Sequence, residues 1–393
     1  MISVESEGYE KNLNIDSYYY NKLDIEGFSL MMKDPTCCYK FYWLEAIVQL
    51  ICEDKIEASY DEIINEMIAN AWYSVLQFHI HLSSVNGNGE VNDTLEKAVL
   101  KLKDVSNLLL DSSKVEIKNE IKKFNYELKK EKKTLTQYVP YRALSGFANK
   151  KGEEIKLDSK VSRIIAYYNK LNENDILLPY TFGEEKGLKR IIKFNQDWIQ
   201  MIRDNAVNIL GWIQYEKVKW LQRNNPEVPG LIYKLKPLDN KTRKLEQVRK
   251  LWNGILDIRP ISNVFDDTLI KKEKYDIDHF IPWSFVMNDE LWNLMPVDSK
   301  QNSVKSDKLP NWDKFFKRFA KNQYILYEMI HKQEKIANLY HKCYQNNLHS
   351  IWAMQELYQK GNTSEKFYTI LEKNMRPIYD SAKRQGYEIW KTK

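Results

Sequence analysis

The chain contains little cysteine and little glycine. Its four cysteines, Cys37, Cys38, Cys52 and Cys343, include no pair with the CxxC spacing of a structural zinc knuckle. Adjacent cysteines such as Cys37 and Cys38 rarely bridge each other, so free thiols in a reducing compartment are expected. The 13 glycines among 393 residues favour helices over a turn-rich β architecture, because they fall below the usual share of roughly 7%.

Long hydrophobic runs are also missing. The most apolar segment, Phe41–Cys52, is interrupted by Glu45 and Gln49 and is too short to span a bilayer. The first residues, MISVESEGYEKN, lack the basic start and apolar run of a signal peptide. We therefore expect a cytoplasmic protein without a membrane partner.

The charge balance is mildly basic, with a formal net charge of +6. Hydrophobic residues make up 43% and charged residues 29% of the chain, values that exclude a disordered or membrane protein. A basic balance permits a polyanionic partner such as nucleic acid, but many basic proteins bind none.

The fold class predicted from hydrophobic spacing is mainly α with a small α+β module. Apolar residues recur at helical spacing from Tyr39 to Leu82 and again over residues 94–133 and 161–224. The sequence NNPEVPG at 224–230 breaks this pattern. The predicted organisation is a helical N-terminal region over 1–133, a second helical region over 134–230, a third region with the α+β module over 231–330, and a C-terminal helical segment over 331–393.

The residues that indicate chemistry are concentrated between Asp276 and Pro310. Ile261–Asp267 is short and β-rich in type, and Tyr275–Phe280 alternates before Pro282 ends it. A long loop follows, and Asp298–Lys305 is typical of a short helix. The predicted order is therefore strand, strand, long loop and helix.

Four side chains in this stretch are suited to hydrolysis. Asp278 offers a hard oxygen ligand for magnesium, and the amide oxygen of Asn302 could reach the same ion from the helix. Histidine in general titrates near neutrality, so His279 is suited to take a proton from an attacking water. Because neighbours on a strand point to opposite faces, the strand must bend or end for Asp278 and His279 to serve one site. Lys305, one turn after Asn302, could hold a phosphate oxygen.

The segment DIDHFIPWSFVMNDELWNLMPVDSKQNSVKSDKLP resembles the HNH nuclease superfamily. It is most similar to zinc-free HNH domains, including those of RNA-guided CRISPR effector nucleases. The resemblance covers roughly fifty residues, and several features matched in order are far more specific than an isolated Asp-His pair. The matching pieces are Asp278–His279, Pro282, Asn293, Asn302 and Lys305–Asp307.

The resemblance implies a ββα-metal fold that binds one Mg²⁺ or Mn²⁺ ion. It makes His279 the general base and Asp278 and Asn302 the metal ligands, with Asn293 tying the loop backbone and orienting His279. Many relatives have a second histidine where this chain has Asn302. Asp276 and Asp298 are alternative ligands, which we interpret as a solvated acid or a helix cap.

These residues predict an endonuclease that hydrolyses DNA, with its module near residues 255–312. By analogy, an HNH domain attached to a large helical region resembles an effector of bacterial anti-phage defence or restriction. Two alternatives stay open, an RNA-directed nuclease and a helical interaction subunit with a silent HNH fold. The helical N-terminal region is expected to select targets or to bind a protein partner or a second copy of the chain.

Basic residues before the module are candidate contacts to nucleic acid. The cluster lies close in sequence to the predicted site and consists of Lys241, Arg243, Lys244, Arg249 and Lys250. The lysine-rich tract at 120–133 could grip a phosphate backbone as well, but a solvated helix face is its alternative because glutamates are interleaved.

Overall fold

The computed structural model describes residues 13, 15–32, 35, 37–83, 91–148, 160–173, 177–235, 243–272 and 274–391. Helices account for 62% of these residues and strands for 7%, which confirms the prediction of a mainly α protein with a small α+β module. No helix within these ranges is long and apolar enough to cross a membrane.

The chain divides into two compact units. The first unit comprises Met1–Pro226 and Lys234–Pro237, and the second comprises Glu227–Tyr233 and Leu238–Lys393. The finer division into four regions stays a prediction.

The first unit consists of helices around a small antiparallel sheet, in which β3 lies between β1 and β2. Its strands are β1 (Glu57–Ser59), β2 (Tyr180–Phe182) and β3 (Ile191–Phe194). Its helices are α1 (Ser17–Tyr20), α2 (Ile25–Leu30), α3 (Tyr39–Cys52), α4 (Tyr60–Leu76), α5 (Thr94–Val105), α6 (Lys114–Lys123), α7 (Lys129–Leu135), α8 (Val139–Ala143), α9 (Val161–Glu173), α10 (Gln196–Asp204) and α11 (Ala206–Asn224), with short 3-10 turns at Leu144–Phe147 and Gly187–Lys189.

Helices α3 and α4 form the centre of this unit. Their tryptophans Trp43 and Trp72 are fully buried. A capping box starts α4, because the Ser59 hydroxyl accepts from the Glu62 N–H while the Glu62 carboxylate accepts from the Ser59 N–H. In α11, Lys217 is buried against Glu45 of α3 at 2.7 Å, so a paired charge lies inside the helical layer.

The second unit contains the predicted module and the C-terminal helices. Its strands are β4 (Tyr275–His279) and β5 (Leu294–Asp298). Its helices are α12 (Glu246–Leu256), α13 (Trp283–Val286), α14 (Ser299–Lys305), α15 (Trp312–Lys332), α16 (Glu334–Asn347) and α17 (Ser364–Arg384), with 3-10 turns at Leu231–Lys234 and Leu291–Asn293 and a π-helical turn at Ala353–Leu357. One hydrophobic core joins the strands to α12, α15, α16 and α17.

The strand order departs from the sequence prediction. Ile261–Asp267 is not a strand, since only Ser262 forms an isolated bridge, with Leu269. The second strand is instead β5, which lies in the stretch predicted as loop and pairs antiparallel with β4. The real order is strand, loop, strand and helix.

Pro296 explains why β5 was missed. A proline inside a run argues against a strand, because it cannot donate a ladder hydrogen bond. Here Pro296 lies opposite Ile277. Three positions further along the ladder, the Phe280 N–H donates to the Asn293 carbonyl, so that pair is a hydrogen-bonded one. Hydrogen-bonded pairs alternate along an antiparallel ladder, so the nitrogen of Pro296 points away from β4 and no ladder bond is lost.

Candidate active site

Strand β4 and helix α14 bring four of the polar side chains together. Asp276 and Asp278 are two residues apart on β4 and therefore share a face of the strand. Asn302 Nδ2 donates to Asp276 Oδ2 at 3.3 Å, and Lys305 Nζ lies 2.8 Å from Asp278 Oδ2. Helix α14 thus runs along β4 in the same direction, with Asn302 and Lys305 one turn apart over the two acids.

Asp298 starts this helix. Its carboxylate accepts from the N–H groups of Lys300 and Gln301, which confirms its interpretation as a helix cap. The cap fixes where α14 begins, and therefore which of its residues lie over β4.

Lys305 is buried completely and contacts a candidate ligand. Its ammonium forms an ion pair with Asp278, whose side chain is only 11% exposed. The helix ends immediately afterwards at Ser306, which adopts a left-handed φ of 51°. The structure therefore places Lys305 on the carboxylate, and its predicted contact with a phosphate stays a prediction.

His279 is the last residue of β4, where the strand ends so that Asp278 and His279 can serve one site. Its ring is 1% exposed, and Nε2 lies 3.1 Å from Asp289 Oδ1 and 3.2 Å from the Asn288 carbonyl oxygen. Nδ1 is buried and has no hydrogen-bond partner among the described residues. Because the Asn288 carbonyl is a hydrogen-bond acceptor at Nε2 and the Asp289 carboxylate lies beside it, we assign the ring proton to Nε2, which leaves a bare lone pair on Nδ1. The imidazole is therefore arranged to accept a proton through Nδ1.

Asn293 ties the loop that follows His279. Its Nδ2 donates to the Ile281 carbonyl at 2.8 Å, and its Oδ1 accepts from the Ile281 N–H at 2.8 Å. Both residues are fully buried. The asparagine thus holds the backbone two residues beyond His279, and its predicted effect on the orientation of the ring stays a prediction.

The donor set at this site suits a hard divalent cation. Asp276 and Asp278 supply carboxylates, and Asn302 donates through Nδ2, so its amide oxygen stays available. Oxygen donors of this kind match Mg²⁺ or Mn²⁺ better than zinc. Within the described ranges there is no cluster of three or more His, Cys, Asp or Glu residues able to hold a metal. The site therefore fits a metal only if the amide of Asn302 takes part.

Arg249 is the member of the basic cluster that lies at this site. From α12, its Nη1 donates to the Tyr275 carbonyl at 2.8 Å, and its Nη2 lies 3.6 Å from Asp276 Oδ1. Its side chain remains 44% exposed. A solvent-facing guanidinium is thus anchored beside the candidate metal ligands.

The other members of the cluster are dispersed. Arg243 covers the ring of Trp283 at 4.7 Å, while Lys244 donates to Asn346 Oδ1 at 3.0 Å. Lys250 pairs with Glu246 at 2.5 Å, and Lys241 lies outside the described residues. Their contact with nucleic acid stays a prediction.

Sequence reasoning missed the acids of the loop between the strands. Asp289 contacts His279, and the buried Glu290 accepts from the backbone of His349 and Ser350. The run Asn288–Glu290 has only the composition of a polar loop. Its partners lie up to 60 residues away, so no local spacing could have indicated them.

Comparison with known proteins identifies the same module. Residues 262–311 match the HNH endonuclease family, which confirms the resemblance inferred from the motif. The match covers about an eighth of the chain. A search of curated proteins and a search of solved structures return no significant match. The chain therefore carries an HNH endonuclease domain, and its remainder has no identified relative in these comparisons.

Proposed function

We propose that this chain is a metal-dependent endonuclease that hydrolyses phosphodiester bonds, with DNA as its expected substrate. One observation carries the proposal. The end of β4 presents an imidazole with a bare Nδ1 next in the chain to Asp278, inside residues that match an HNH endonuclease. A proton acceptor and an oxygen donor set in such a module support hydrolysis of a phosphodiester.

In this proposal Asp278 and Asn302 hold the divalent ion, and Asp276 is the nearest further donor. The ion, Mg²⁺ or Mn²⁺, would neutralise charge on the scissile phosphate and on the leaving oxygen. His279 Nδ1 accepts a proton from water while the water oxygen forms a bond to phosphorus. The bond from phosphorus to the leaving oxygen breaks, and that oxygen takes a proton from solvent.

Asn293 and Lys305 support this chemistry in different ways. Asn293 keeps the backbone beyond His279 in place, and a base on a firmly held backbone keeps its orientation toward the attacking water. Lys305 forms an ion pair with Asp278 at 2.8 Å, so its positive charge lies beside a proposed metal ligand. We therefore assign Lys305 an electrostatic role at the same site.

Substrate contact is proposed for the basic cluster at residues 241–250, which ends in the first half of α12. Arg249 is anchored at the site, so it is the first candidate to hold a phosphate next to the scissile one. The remaining cluster, Lys241, Arg243, Lys244 and Lys250, would add contacts that do not depend on sequence.

The biological setting we propose is a cytoplasmic effector of bacterial anti-phage defence or restriction. What supports it is the attachment of a small HNH domain to a helical unit of more than half the chain. A small nuclease module has little surface for reading sequence, so the helical unit would select targets or bind a partner or a second copy.

The proposal is tested by incubating plasmid DNA, and separately RNA, with the full chain and Mg²⁺ or Mn²⁺. Cleavage of DNA is expected, and EDTA or His279→Ala should abolish it. His341→Ala is the matched control, since His341 is an exposed histidine of α16 in the same unit. Cleavage of RNA alone would establish the alternative substrate.

Two results would overturn the assignment. Cleavage that survives His279→Ala would show that another group is the base. Absence of cleavage of both substrates by wild-type protein that binds Mn²⁺ would favour a subunit with a silent HNH fold.

A further inference from the structure

We infer that Asp289 is a positioning residue for His279 and that the C-terminal end of α16, outside the HNH match, holds Asp289 in place. The consequence for catalysis rests on the proposed function. The tautomer of the imidazole can be measured without catalysis, so the two ideas can fail separately.

The first observation is the pair between Asp289 and His279. Asp289 Oδ1 lies 3.1 Å from Nε2, and its side chain is only 14% exposed. Oδ1 makes no hydrogen bond among the described residues, so the carboxylate acts through its charge, and a negative charge this close to Nε2 favours the tautomer whose proton is on Nε2. The acid therefore acts through the histidine, without contacting the reacting atoms.

The hydrogen-bond acceptor at Nε2 comes from the same loop. The Asn288 carbonyl lies 3.2 Å from Nε2, and the loop reaches this position after Met287, which adopts a left-handed φ of 56°. A left-handed methionine is strained, so surrounding contacts must hold the turn in this shape. Both contacts at Nε2, the carbonyl and the carboxylate, therefore depend on what anchors this loop.

The anchor is Asn347, the last residue of α16. Its side chain is fully buried, and Nδ2 donates to the Asp289 carbonyl at 3.0 Å and to the Lys244 carbonyl at 3.2 Å. One amide thus joins the loop to the basic segment before α12. Asn347 lies 36 residues beyond the end of the HNH match.

Glu290 fastens the next position of the loop to the turn after α16. Its carboxylate accepts from the His349 N–H at 2.8 Å, the Ser350 N–H at 3.1 Å and the Trp292 indole N–H at 3.1 Å. Glu290 is itself buried. A buried carboxylate with three N–H donors is held firmly, because breaking one bond leaves a desolvated charge. Asp289 is therefore fixed through its own carbonyl and through its neighbour.

The experiment is nitrogen NMR of full-length protein labelled with ¹⁵N only at histidine. The chain has six histidines, so the ring signals of His279 can be assigned by comparison with His279→Gln. In wild type we expect the proton on Nε2 and none on Nδ1. In Asp289→Ala we expect part of the population to carry the proton on Nδ1, and Asn347→Ala should change the signals in the same direction by less.

Cleavage kinetics form the second readout. Asp289→Ala should lower kcat by about 10–100-fold with little change in KM, because substrate binding does not use this acid. Asp289→Asn keeps the shape of the side chain and should fall between wild type and alanine. Asp313→Asn, an exposed acid of α15 in the same unit, is the control for the change of net charge.

Each outcome decides between the ideas. A wild-type His279 protonated on Nδ1, or an Asp289→Ala variant with an unchanged spectrum, overturns the positioning role. Where the wild type cleaves, an unchanged rate in Asp289→Ala overturns it as well. An unchanged spectrum in Asn347→Ala overturns the part played by α16. A wild type that has the expected tautomer, loses it in Asp289→Ala and cleaves nothing supports the positioning role and refutes the proposed function.

Discussion

Replacing Asn293 by alanine should loosen the loop that carries the candidate base. The substitution leaves the N–H and C=O groups of Ile281 without their side-chain partners in a fully buried position. Each buried polar group left unsatisfied costs about 1–3 kcal/mol, so the expected loss is about 4 kcal/mol for the pair. At about 2–4 °C per kcal/mol, the unfolding temperature of the second unit should fall by roughly 8–16 °C.

Calorimetry of the full chain measures this change, and hydrogen exchange of the segment 275–293 localises it. Asn293→Asp should destabilise at least as much, since a carboxylate oxygen then faces the Ile281 carbonyl. The matched control is Asn374→Ala, because Asn374 is half-buried in α17 and donates to the Ile370 carbonyl of its own helix. If Asn293→Ala unfolds within about 2 °C of wild type and its amide hydrogens exchange at the same rate, the side chain of Asn293 does not hold this loop.

Three further predictions concern metal, substrate and pH. Asp278→Asn should weaken Mn²⁺ binding by at least about 10-fold in titration calorimetry, and an unchanged Kd would contradict its assignment as a ligand. Arg249→Ala should weaken DNA binding and reduce the slope of log K against log salt by about one; a smaller effect is expected from Lys250→Ala, and equal effects would argue against a special place for Arg249. Burial raises the pKa of Asp93 to about 6, so the stability it gives the first unit below pH 4 is lost as the pH rises through 6. Asp93→Asn should flatten this part of the curve of stability against pH, measured by thermal unfolding. Identical slopes for the variant and the wild type would show that Asp93 is not the cause.

The part of the site that the sequence predicted is the part that is local in the chain. Asp278, His279 and Asn302 lie within 25 positions, and a strand end followed by a short helix brings such residues together by geometry alone. The prediction of the helix was close, since Asp298 is a good N-cap and is used as one. That Asp278 and Asn302 bind one ion stays a prediction; in the structure Asn302 contacts Asp276 and Lys305 contacts Asp278.

The rest depends on contacts that no local pattern encodes. Strand β5 was not predicted because a proline is tolerated only at a non-hydrogen-bonded position of the ladder. Which positions those are depends on the register with the partner strand β4. Asp289 could not be distinguished from any polar loop residue, since its supports Asn347 and Glu290 act through tertiary hydrogen bonds. Arg249 was chosen for its charge, while its position follows from its bond to the Tyr275 carbonyl.

The HNH domain shares its hydrophobic core with the helices of the second unit, and this determines how long a transferable fragment must be. Phe280 packs on Phe319 with ring centres 4.6 Å apart, and Gln323 donates to the Leu294 carbonyl at 2.7 Å, so α15 forms the floor beneath both strands. The segment after α17 packs on the same unit, because the backbone N–H of Trp390 donates to the Leu309 carbonyl at 2.7 Å. A gene fragment cut to the family boundaries would lack this floor, whereas one from α12 to Trp390 would contain it. Transplantation and recombination should therefore succeed only with the longer piece, and substitutions near Trp390 should affect the HNH domain.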